Sequence, residues 1–235
     1  MEMVASAAHT RDNSSVTAAL ERRLLIWIAT RLPGCVTSDH LSALGLASMA
    51  IAGLTFAAFR VTPPWAAAGV IVALAGNWFG DSLDGTLARV RQQQRPRYGF
   101  YVDHIIDLAG TTMLVLGLAA SDLMHPIVAL GVLVGFLLAT SESYLATHAV
   151  GVFRMSFLGC GPTELRLLLI AGALRAAHSP SVELFSGAPI RLFDIGGVAA
   201  TLGLSVAFAA AAIRNTRTLY LAEPVPVRVD ERRAA

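Results

Sequence analysis

Residues 81–107 read DSLDGTLARVRQQQRPRYGFYVDHIID, four aspartates around a basic turn with apolar chain on either side. Asp81 and Asp84 stand three apart near the end of one apolar run, and Asp103 and Asp107 four apart at the start of the next. Such spacings place each pair on one face of a helix. A connection of roughly ten residues makes the two helices antiparallel neighbours and brings both pairs to the same depth. Carboxylates at membrane depth are costly, and as a rule they face a cavity and mark function. No basic residue accompanies these four on their faces, so their mutual repulsion calls for a divalent cation. Oxygen-only ligands suit Mg2+, Mn2+ or Ca2+, not zinc or copper. Two such ions would hold a diphosphate and stabilise charge as a group is displaced. Helix capping would account for one or two of the aspartates, but not for two pairs on facing sides.

The apolar character extends outward from this hairpin. The chain has 235 residues, of which 55% are hydrophobic and only 14% charged, and its mean hydropathy is +0.61. A soluble domain carries about 25% charged residues, so the deficit points to a membrane. Six apolar segments, 40–59, 64–88, 102–120, 124–147, 163–178 and 192–213, are punctuated by Pro63-Pro64, Arg95-Pro96, His125-Pro126, Gly161-Pro162 and the stretch 179–190. Before them, residues 15–31 mix Leu20, Leu24, Ile26, Trp27 and Ile28 with Glu21, Arg22, Arg23 and Arg31, the pattern of a helix lying on the membrane surface. Leu32-Pro33-Gly34 ends it, and Ser38 or Asp39 is the expected cap of the next helix. The expected fold is therefore an all-α integral membrane protein with six transmembrane helices preceded by an N-terminal amphipathic interfacial helix. One membrane domain, 15–222, is flanked by residues 1–14 and a Pro-rich charged tail, 223–235, both expected to be disordered.

All eighteen basic residues are arginine, a compositional bias from which no function follows. With the N-terminus inside, fifteen arginines fall on the inner side and only Arg60, Arg175 and Arg191 on the outer. Both termini and the aspartates are thus expected on the cytoplasmic side, in a bacterial inner membrane. A net charge of +2 is too small to argue for nucleic acid. Cys35 and Cys160 form neither a disulfide framework nor a zinc cluster, and the first residues do not resemble a cleaved signal peptide.

Gly85, Ala88 and Gly99 are small residues beside the carboxylates, which let a nucleotide or a phosphate approach the backbone; small residues also serve helix packing. Arg89 adds a planar fork suited to a phosphate. Taken together, Asp81, Asp84, Gly85, Ala88, Arg89, Gly99, Asp103 and Asp107 resemble the signature D-x2-D-G-x2-A-R-x8-G-x3-D-x3-D of the CDP-alcohol phosphotransferases. Nine residues, Val90 to Tyr98, stand where that signature has eight, and the extra one falls in the loop. The resemblance covers about residues 15–215 and includes the six-helix plan. It implies that Asp81, Asp84 and Asp103 bind two divalent cations, Mg2+ or Mn2+, and that Asp107 completes the site and serves as general base. It implies a CDP pocket at Gly85, Ala88, Arg89 and Gly99, and a transfer between a CDP-activated donor and an alcohol acceptor that releases CMP. A homodimer in membrane lipid is also implied.

A second cluster bears on the branch of that family. Glu142 and Tyr144, then Gly161-Pro162 and Glu164, with His104 after the third aspartate, resemble the choline and ethanolamine phosphotransferases. Glu142 serves equally as a hydrogen-bonded residue between helices. Arg154 and Arg166 are candidates for an acceptor or lipid phosphate, or set topology alone. The donor is either CDP-diacylglycerol or a CDP-linked alcohol. The alternative of a different class is an ion-coupled transporter, which also buries carboxylates but prefers the bilayer midplane and broken helices.

Overall fold

The computed structural model describes residues 16–151, 161–183 and 189–223. Prolines open most of its helices, as their fixed φ and missing N–H allow at a first turn. In chain order the elements are α1 (Val16–Ala29), α2 (Ser38–Ala57), a 3-10 turn (Ala58–Arg60), α3 (Pro63–Val90), α4 (Pro96–Ala120), α5 (Pro126–Val150), α6 (Pro162–His178), β1 (Ser181–Val182), β2 (Ile190–Arg191) and α7 (Leu192–Ala222). The two short strands pair antiparallel, Ser181 opposite Arg191. The expected disordered ends, 1–14 and most of 223–235, lie outside the described residues.

Among the described residues, five helices are long and apolar enough to cross a membrane: α2 with its 3-10 turn, α3, α4, α5 and α7. This is an all-α integral membrane protein. The fifth expected segment forms α6, whose 17 residues fall short of the ~20 that span a hydrocarbon core. Two boundaries differ from the sequence reading. Helix α4 begins at Pro96, so Gly99 is helical and residues 91–95 alone join α3 to α4. Helix α7 runs past its apolar segment to Ala222. The cap of α2 also differs. Thr37 accepts from the His40 amide at 3.3 Å, and His40 Nδ1 accepts from the Thr37 amide, while Ser38 and Asp39 are used elsewhere.

Helix α2 lies between α3 and α4 and approaches both at glycines. A Cβ on Gly80 would strike the Leu41 carbonyl and the Gly45 backbone; one on Gly117 would strike the backbone of Gly53. Glycine at these crossings lets the helix axes come closer than any side chain would permit. Toward one end, Phe56, Val70, Leu74, Leu114, Val115 and Leu118 form the main core, with Phe193 of α7 edge-on to Phe56 at 5.7 Å. Toward the other, α1 docks on α3: Leu25 and Ala29, one turn apart, bury against Leu83 and Leu87, and Glu21 accepts from Trp78 Nε1 at 2.8 Å. The α1–α2 link is held by Arg91, which donates to the carbonyls of Leu32, Pro33 and Val36.

Candidate active site

The last turns of α3 and the first of α4 carry the eight signature positions, and the start of α2 packs against them. Asp84 is anchored at both carboxylate oxygens. Ser42 Oγ donates to its Oδ2 at 2.6 Å and the Gly85 amide to its Oδ1 at 2.5 Å. Ser38 Oγ, one turn earlier on α2, donates to the Asp84 carbonyl at 2.9 Å. Asp81 and Asp84 at the end of α3 and Asp103 and Asp107 near the start of α4 lie on either side of the 91–95 turn.

Asp81 has a cationic partner that the faces of α3 and α4 did not reveal. Arg166, from α6, donates from Nη2 to Asp81 Oδ2 at 2.5 Å and from Nε to Asn77 Oδ1 at 2.8 Å. Asn77 in turn donates to the Gly45 carbonyl at 3.1 Å. Arg166, expected either to hold a phosphate or to set topology, thus forms a polar link among α2, α3 and α6.

On α4, Asp103 is half-exposed and Asp107 exposed. His104 is buried between Phe100 and Tyr144, with ring centroids 4.0 and 5.1 Å away. Its Nδ1 lies 2.7 Å from the Phe100 carbonyl; a carbonyl only accepts, so Nδ1 carries the proton. The approach of that nitrogen to Asp103, 3.5 Å, is longer than a good hydrogen bond. The Tyr144 hydroxyl is buried without a hydrogen-bond partner among the described residues. A buried hydroxyl left unsatisfied costs free energy, so a polar group brought against it would be favoured.

The remaining expected residues divide. Arg89 donates to Thr86 Oγ1 at 3.0 Å, and a Cβ on Gly85 would come to 3.4 Å from its guanidinium. Ala88, Ser38, Asp39, Gln93, Gln94 and Arg95 line a cavity of about 390 Å3. Its rim is tied by Arg95, which donates to both oxygens of Asp39 at 2.5 and 2.7 Å and stacks 4.0 Å over the Tyr98 ring. The Asp39 carboxylate holds this guanidinium above its usual pKa. Gly99 is exposed with open space around it. Glu142 accepts from Asn215 Nδ2 at 2.6 Å, and Glu164 accepts from the Gly161 amide at 3.0 Å. Arg154 lies outside the described residues.

Carboxylate oxygens are the donors that Mg2+ or Mn2+ prefers, and the chemistry of the site fits such an ion. Among the described residues no three acidic, imidazole or thiol groups are already gathered for one metal. The cause is visible in the contacts: Asp81 is turned to Arg166, and Asp84 to Ser42 and its own following amide. Ser42, Asn77 and Arg91 were not expected from sequence. Ser42 follows Ser38 by one helical turn, a pairing too common in apolar helices to single it out.

Two comparisons with known proteins bear on these contacts. A family model described as CDP-alcohol phosphatidyltransferase matches residues 39–220. No curated protein matches the chain.

Proposed function

The chain belongs to the CDP-alcohol phosphatidyltransferase family, a family of phospholipid-synthesising transferases, and from that premise we propose a metal-dependent transfer at the α3–α4 turn. Asp81, Asp84, Asp103 and Asp107 hold two divalent cations, Mg2+ or Mn2+, beside the diphosphate of a CDP-activated donor. When bound, these cations neutralise the diphosphate and favour departure of CMP. Gly85, Ala88, Arg89 and Gly99 receive the CDP moiety, with the Arg89 fork on a phosphate. Asp107 takes the proton of the acceptor hydroxyl. That oxygen then forms a bond to the phosphorus distal to the cytidine, and the bond from this phosphorus to the bridging oxygen breaks, so CMP leaves with that oxygen. His104, Glu142, Tyr144, Arg154 and Glu164 belong to the acceptor side or support it.

The observation that carries this reading is the family match over residues 39–220, in a chain whose eight signature residues all lie on the facing ends of α3 and α4. The exposure of Asp107 supports its role, since a base must meet the acceptor. The orphaned Tyr144 hydroxyl nearby supports a polar ligand between α4 and α5. Family membership sets the transporter alternative aside. The same reading takes α6 as a sixth membrane segment, α1 as a helix in the cytoplasmic interface, both termini and the site as cytoplasmic, and the assembly as a homodimer.

The test is CMP release by the purified protein. CDP-diacylglycerol is offered with a panel of polar alcohols, and separately CDP-choline or CDP-ethanolamine with diacylglycerol, each with Mg2+ or Mn2+. Release that requires metal, acceptor and Asp107 is the expected result and identifies the donor. Asp107→Asn should lower turnover by about a thousandfold while CDP binding persists. Undiminished turnover in that variant would remove Asp107 as the base, and no CMP from any donor would sink the transfer itself.

A further inference from the structure

We propose that Arg166 is a positioning residue: it neutralises the charge of Asp81 until a divalent cation takes its place, so that metal loading and a loosening of the start of α6 are coupled. The inference rests on the reading of Asp81 as a metal ligand. Its own grounds are the contacts of Arg166. The guanidinium is held at two points on α3, at Asp81 Oδ2 and at Asn77 Oδ1, which are one helical turn apart. Its side chain is only 13% exposed and Asp81's 28%. Asn77 is itself buried and fixed to the Gly45 carbonyl. Arg166 is thus no surface cation resting on a neighbour; its position is set by a polar chain that runs through three helices.

Two positive charges cannot share one carboxylate oxygen without strong repulsion in a partly desolvated site. A cation that took Asp81 Oδ2 would therefore displace the Nη end of Arg166. The Nε contact is to Asn77, which is an amide and not one of the four carboxylates, so the side chain can stay hinged there while its charged end swings away. Arg166 is a link from the first turns of α6 to the aspartates, and with the Asn77 contact alone remaining that end of α6 is held less firmly. Coupling of this kind is reciprocal: whatever holds Arg166 on Asp81 weakens metal binding, and metal weakens the hold.

The experiment is a Mn2+ titration of the full chain in detergent, followed by the electron paramagnetic resonance of free Mn2+. Wild type is compared with Arg166→Gln, Asn77→Ala and Asp81→Asn. Arg166→Gln is expected to bind Mn2+ about tenfold tighter, and Asn77→Ala, which removes the hinge without changing charge, about fivefold tighter. A second measurement needs no variant: amide hydrogen exchange over residues 162–170 of wild type should quicken when Mn2+ is added. Tighter binding in Arg166→Gln alone, with Asn77→Ala and the exchange unchanged, would reveal simple removal of a charge and overturn the latch. Unchanged or weaker binding in Arg166→Gln overturns it too. Unchanged binding in Asp81→Asn removes Asp81 as a ligand, and the latch falls with that reading rather than by itself.

Discussion

Helices α3 and α7 are both long and apolar enough to cross a membrane, yet they are built for different surroundings. The spanning window of α3 is 44% buried inside the protein and has a mean hydropathy of 1.2; that of α7 is 6% buried with a mean hydropathy of 1.8. The more buried helix is the less apolar one, the reverse of a water-soluble fold. A helix facing hydrocarbon has nothing to satisfy a polar side chain, whereas one enclosed by other helices can carry Asn77, Asp81 and Asp84 because α2 and α6 supply partners. Close packing is therefore what makes the polar site possible. The glycine crossings that bring α2 against α3 and α4 also hold the carboxylates on stiff elements, as a site needing accurate placement requires.

The harshest way to break this comparison is to push the enclosed helices apart. Gly117→Leu places a side chain into the backbone of Gly53, and should cost about 3 kcal/mol or more, seen as loss of the monodisperse folded protein and of thermal stability. On α7, Leu202 is 63% exposed, and Leu202→Ala should change stability in detergent by about 0.5 kcal/mol or less. If the two variants behaved alike, the glycine crossings would not be what assembles the bundle.

A milder change separates positioning from stability. Ser42→Ala removes the hydroxyl that holds Asp84 Oδ2. Groups that orient metal ligands are worth about 10–100-fold in affinity or activity, so CMP release should fall by about tenfold with little change in melting temperature. The matching variant is Ser205→Ala on α7. Ser205 Oγ bonds back to the Thr201 carbonyl of its own helix, and its removal should leave turnover alone. Equal effects would mean that Ser42 acts through general helix stability rather than through Asp84.

Why the aspartates were legible and Ser42 was not follows from what periodicity carries. Spacings of three and four reveal which residues share a helix face, and the prolines mark where helices start, so both pairs and most elements could be read directly. Periodicity does not say which other helix meets that face. Ser42 is 42 residues from Asp84, and Arg166 is 85 from Asp81; each of these pairings is a product of tertiary packing. The cap of α2 shows the same limit on a small scale. Thr37, Ser38 and Asp39 are three consecutive cap formers. Thr37 takes the role because His40 completes its capping box, while Ser38 turns to Asp84 and Asp39 to Arg95. Likewise the third apolar segment begins only at residue 102, but Pro96 starts the helix before it.

The smallest predicted effect tests how much strain the enclosed half absorbs. The end of α3 closes with the Gln92 amide donating to the Arg89 carbonyl at 3.2 Å and the Gln93 amide to the Ala88 carbonyl at 2.9 Å, the double bond pattern of a Schellman end. Gln92 sits there at φ 55, a left-handed conformation in which a Cβ costs about 1 kcal/mol. Helix α5 ends in the same region of φ with Gly151, at φ 74, where a glycine bears no such penalty. Gln92→Gly should therefore stabilise the protein, but by only about 0.5 kcal/mol, because glycine also raises the entropy of the unfolded chain. Gly151→Ala should destabilise it by about 1 kcal/mol. Both are read from denaturation midpoints in one detergent, with CMP release unchanged in Gln92→Gly. A gain there would mean that the packing of α2, α3 and α4, together with Arg91 and the Arg95–Asp39 pair, holds this turn against its own backbone preference. No gain would mean that the glutamine side chain contributes contacts of its own beside the cavity, and that the tight turn belongs to the site rather than merely bounding it.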